Sequence, residues 1–129
     1  MDIAIVGIAG RFPDADNLSD LCDNLKSGKD SVRTISKKRL KDTALDENKK
    51  YFVSGYLENI DKFDYNLFGI SKAEAEMMCP VQRKLLEVTY EILESSGESV
   101  DFYNNSNTAI YIGANTSDYY EHADKFSSL

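Results

Sequence analysis

The stretch "PVQRKLLEVTYEILESSG" (80–97) constrains the fold more than any other part of this chain. Pro80 stands where a helix can begin, because its missing N–H would be an orphan donor in the first turn anyway, and Gly97 stands where a helix can end. Between them Val81, Leu85, Val88 and Ile92 make one row, and Leu86, Thr89 and Leu93 make the adjacent row. Together the rows predict a helix with a broad buried face. A face that wide has to be covered by other layers, so the chain is expected to be a packed α/β unit rather than an isolated helix.

Two β-branched runs supply the expected strands. "IAIV" (3–6) ends at Gly7 and "TAIYIG" (108–113) ends at Gly113, and both read as strands buried on two faces. Asp16 or Asn17 can cap a helix that places Leu18, Leu21, Cys22 and Leu25 on one stripe, with Gly28 closing it. Cys22 thereby takes an apolar position as structural filler. Ser71 followed by Glu74 has the spacing of a capping box and predicts a short helix. The order strand, helix, helix, strand predicts a parallel pair. "SKKRLKDTALDENKK" (36–50) is highly charged without an apolar stripe. Lys37, Lys38, Arg39, Lys41, Lys49 and Lys50 could grip phosphate, but the interleaved Asp42, Asp46 and Glu47 favour a solvated loop. The aromatic-rich stretch 51–71 is expected to fold against the core.

At 129 residues the chain has the length of one domain, and its apolar runs are far too short to span a membrane. A net charge of −7 argues against broad binding to nucleic acid or an anionic membrane. No basic n-region or long apolar h-region follows Met1, so no signal peptide is read and the N-x-S/T triplets carry no expected glycan. The two cysteines, Cys22 and Cys79, are far apart and are expected to be free thiols in a cytoplasmic protein.

The sequence holds no complete catalytic or binding constellation. A dinucleotide fingerprint needs G-x-G-x-x-G running straight into a helix, whereas here Gly7-x-x-Gly10 is followed by Arg11-Phe12-Pro13. No G-K-S/T follows for a P-loop, and there is no G-x-S-x-G elbow. His122, the one histidine, lies in a polar stretch without an orienting partner and reads as solvated. Asp14, Asp16 and Asp20 are spaced a little like a calcium loop but lack its glycine and closing glutamate, so capping and solubility account for them. No catalytic, cofactor-binding or metal-ligating residue is assigned.

Three ordered blocks nevertheless resemble one family. "IAIVGIAGRFPDADNLSDLCDNLKSGKDSV", "SGYLENIDKFDYNLFGISKAEAEMMCPVQRKLLEVTYEILESSG" and "TAIYIGANTSDYY" resemble, in order, the N-terminal portion of the ketosynthase (β-ketoacyl synthase) domain of modular bacterial polyketide synthases. The chain departs from that family at Cys79 and Val81, where Asp and Gln are usual in D-P-Q-Q-R. It departs also at Ala9-Gly10 before R-F-P, at Cys22 in an aromatic position, and at Leu40 in a tryptophan position.

The resemblance implies the N-terminal part of a thiolase-like layered fold (αβαβα), with residues 1–129 an incomplete segment of the domain. Gly7 and Gly10 then become packing devices. It implies an acyltransferase family that performs decarboxylative Claisen condensation on chains held by the phosphopantetheine arm of an acidic acyl carrier protein. The family's nucleophilic cysteine, in D-T-A-C-S-S, and its two histidines lie downstream of the matched segment, so this chain alone is expected to be inactive and to bind no cofactor directly. Arg83 is expected to pin the loop before its helix, and Lys72, beside Glu74 and Glu76, to be a weak carrier contact. Implied partners are the remainder of the domain, the carrier protein and a second copy of the complete enzyme. A stand-alone docking or dimerisation element of a synthase subunit is the alternative, and the lysine-, asparagine- and tyrosine-rich usage suggests an A+T-rich bacterial genome.

Overall fold

The computed structural model describes residues 2–42, 45–46, 48–104 and 106–114. Among the described residues, five helices and two short strands follow one another: α1 (Leu18–Lys26), β1 (Val32–Arg33), α2 (Lys37–Asp42), β2 (Ser54–Gly55), α3 (Lys72–Met77), α4 (Pro80–Ser95) and α5 (Val100–Asn104). They fall into two compact units, one made of Ile8–Phe63 and the other of Met1–Gly7 with Asp64–Leu129.

In the unit Ile8–Phe63, α1 starts and stops as its sequence dictates. Asn17 is the N-cap, its side chain accepting from the Asp20 N–H at 2.9 Å. At the other end the Lys29 N–H donates to the Asn24 carbonyl and the Gly28 N–H to that of Leu25, a Schellman closure around Gly28 at φ +68°. The apolar stripe is not buried, however. Cys22 and Leu25 are exposed and α1 has no buried residue, so Cys22 is not core filler. Leu18 and Leu21 are half-buried, so only part of the stripe is covered.

The charged stretch 36–50 is not all loop, because its first part forms α2. The Ser36 hydroxyl accepts from the Arg39 N–H at 3.0 Å, and Leu40, in the family's tryptophan position, is buried. One anchoring apolar residue and one cap suffice for a short helix where no longer stripe exists. β1 and β2 pair antiparallel, with Val32 opposite Gly55 and Arg33 opposite Ser54. Of the aromatic-rich stretch, Tyr51, Tyr56 and Phe63 are half-buried while Phe52 is 91% exposed.

In the other unit, Ser71 caps α3 by accepting from the Glu74 N–H at 3.2 Å, and Ala75 is buried. Pro80 opens α4 and Gly97, at φ +78°, follows its end. The Gln82 side chain accepts from the Cys79 N–H at 3.0 Å, a reciprocal contact of the kind that steadies a first turn. Tyr90 packs edge-on to Phe68, with ring centroids 6.2 Å apart. A Cβ on Gly7 would lie 3.0 Å from the Ile92 carbonyl oxygen, and in its own unit a Cβ on Gly10 would meet the Phe12 ring at 2.7 Å, so both glycines do serve close packing. Tyr103 of α5 donates to Ser96 Oγ at 2.7 Å and ties α5 to the end of α4.

The expected parallel pair is absent from the described residues. Neither 3–6 nor 108–113 forms a strand, and Ile3 is 90%, Ile5 83%, Ile110 80% and Tyr111 93% exposed. The α4 face is only half covered, with Leu86, Val88, Ile92 and Leu93 partly buried but Val81 and Leu85 exposed. A strand buried on both faces takes its backbone bonds from flanking strands and its burial from layers above and below. Among the described residues neither is supplied.

Candidate functional site

The densest polar organisation lies in the unit Ile8–Phe63 and begins at a tight turn. Phe12 and Ala15 exchange backbone hydrogen bonds (2.9 and 3.1 Å) around Pro13 and Asp14, and Asp14 has φ +58°. Proline first and a positive φ second is the type II pattern, with aspartate tolerating the left-handed region better than most residues. The Pro13 ring sits over β2, where a Cβ on Gly55 would lie 2.8 Å from Pro13 Cγ. Only a glycine strand residue leaves room for that ring.

The turn aims the Asp14 carboxylate at Arg33 of β1. Asp14 Oδ1 lies 2.7 Å from Arg33 Nη1, and Arg33 Nη2 donates to Glu58 Oε1 at 3.0 Å. Lys29 Nζ approaches Asp14 Oδ2 at 3.6 Å, and Asn24 Nδ2 of α1 donates to the Asp14 carbonyl at 2.8 Å. Glu58 also accepts from the Ser36 hydroxyl at 3.1 Å, the same hydroxyl that caps α2. Arg33 therefore links the R-F-P-D turn, the hairpin and the start of α2. With side chains between 23% and 31% exposed, this is a partly shielded network rather than a loose surface pair. Arg33 and Glu58 are 25 residues apart and carry no periodic signal, so sequence reasoning missed them, and it read Asp14 only as a capping or solubilising residue.

The residues singled out from sequence are not gathered into one centre. Asp14 belongs to the Arg33 network, Asp20 accepts from the Asn17 side chain, and Asp16 is exposed. No group of His, Cys, Asp and Glu fit to hold a metal occurs among the described residues. Cys22 is an exposed thiol and Cys79 a buried one. Arg83 is half-buried with its Nε shielded from solvent. Lys72 pairs with Glu76 at 3.7 Å along α3, both side chains well exposed. Lys37, Lys38 and Lys41 are exposed on α2, and Lys38 reaches Asn59 Oδ1 at 3.3 Å. His122 lies outside the described residues. Tyr90 on α4 has its phenol raised above its ordinary pKa, first by the hydrogen bond with Glu94, then by that carboxylate's charge and by burial.

This arrangement ties the R-F-P-D turn, the hairpin and the start of α2 together within the unit Ile8–Phe63. Residues 1–128 match the family "Beta-ketoacyl synthase, N-terminal domain". The chain belongs to that family. It is similar to the cyclo-acetoacetyl-L-tryptophan synthase of Aspergillus oryzae, 41% identical over 132 residues, covering 92% of this chain and 3% of the relative. It is also similar to the polyketide synthase PksM of Bacillus subtilis (strain 168), 36% identical over 120 residues, with coverage of 91% and 3%.

Among solved structures it resembles the module 6 ketosynthase of the bacillaene synthase from Bacillus subtilis 168, at a TM-score of 0.58 and 35% identity over 70% of this chain and 16% of that one. It also resembles an oxazolomycin ketosynthase domain from Streptomyces albus JA3453, at a TM-score of 0.66 and 31% identity over 78% and 19%. The fold is thus α/β, the N-terminal part of the thiolase-like ketosynthase fold. The chain spans only 3–5% of the length of the curated relatives it matches. The matches are to the ketosynthase domain itself, which does not favour a stand-alone docking element. Both fungal and bacterial synthases are among the relatives. No helix among the described residues is long and apolar enough to cross a membrane.

Proposed function

We propose that this chain is the N-terminal segment of a ketosynthase from a cytoplasmic, bacterial modular polyketide synthase, and that it supplies scaffold rather than catalytic groups. The complete enzyme joins an acyl chain, held on an active-site cysteine, to an extender carried on phosphopantetheine, with loss of carbon dioxide. The carrying observation is the pair of uncovered apolar runs at Ile3–Val6 and Ile110–Ile112. Contiguous apolar surface of this kind marks a face that another part of a protein covers. In this reading the remainder of the domain covers it, and the domain works as a homodimer with an acyl carrier protein as partner. Neither Cys22 nor Cys79 lies in a D-T-A-C-S-S context, and the chain holds one histidine where the reaction uses two. Catalytic, cofactor-binding and metal residues of this chain are therefore none. The bacillaene and oxazolomycin relatives support the bacterial assignment.

The test combines the chain with the complementing segment of a ketosynthase and supplies acyl- and extender-loaded carrier proteins. Condensation product is expected from the combination. The chain alone should show no acyl adduct by intact-protein mass spectrometry, and a stoichiometric adduct on Cys22 or Cys79 would overturn the scaffold reading.

A further inference from the structure

We draw no further inference here: the strongest candidate, the exposed apolar face that Val81 and Leu85 make on the first two turns of α4, carries nothing because nothing in the structure shows what covers it.

Discussion

Arg33 Nη2 lies 3.0 Å from Glu58 Oε1 while Nη1 of the same guanidinium lies 2.7 Å from Asp14 Oδ1, so one side chain joins two carboxylates that are far apart in sequence. The second carboxylate also fixes Ser36, the cap of α2. Glu58→Ala should therefore lower stability by about 1–2 kcal/mol, between an exposed pair and a charged hydrogen bond. Urea denaturation reads the loss. The α2 amides, Arg39 above all, should also exchange faster with deuterium, and unchanged exchange there would mean that Glu58 does not hold the cap.

Gly55 leaves room for the Pro13 ring at a separation that a methyl group would violate. Gly55→Ala should destabilise by about 1–3 kcal/mol, the usual range for overpacking. Gly113→Ala is the matched control, because a Cβ there meets nothing within 4 Å. Its effect should stay within about 0.5 kcal/mol. Equal thermal shifts for the two variants would count against the close approach.

Arg83 is half-buried one turn into α4 and is expected to pin structure rather than take part in chemistry. In the complete ketosynthase, Arg83→Ala should lower the melting temperature and leave kcat of the surviving folded enzyme nearly unchanged. Arg83→Lys should not restore stability, since an ammonium cannot reproduce the planar fork of donors. A large fall in kcat with unchanged melting temperature would place Arg83 in the reaction instead.

Tyr90 should titrate above free tyrosine, because ionising it beside Glu94 loses a hydrogen bond and sets two anions together. A raised folded-state pKa makes a stability contribution that is present below the unfolded tyrosine value and lost as pH rises through the folded value. Glu94→Gln should move the phenolate absorbance transition to lower pH. An unmoved transition would show that Glu94 does not hold the phenol.

What the sequence determined by itself was local: α4 between Pro80 and Gly97, α3 behind Ser71, and α1 between Asn17 and Gly28. Caps, an N-terminal proline and closing glycines act over a few residues, so their effect is legible without a partner. The family was legible as well, because the ordered blocks around R-F-P, G-I-S and C-P-V-Q-R extend over most of the chain. Tertiary structure decided the rest. It made a helix of Lys37–Asp42 by burying Leu40, paired Val32 with Gly55, and brought Asp14, Arg33 and Glu58 together. It also left Ile3–Val6 and Ile110–Ile112 without ladders, although their β-branched pattern calls for strands. A pattern states which residues tend toward a sheet, but a strand exists only through hydrogen bonds to another strand, and that partner is set by contacts distant in sequence.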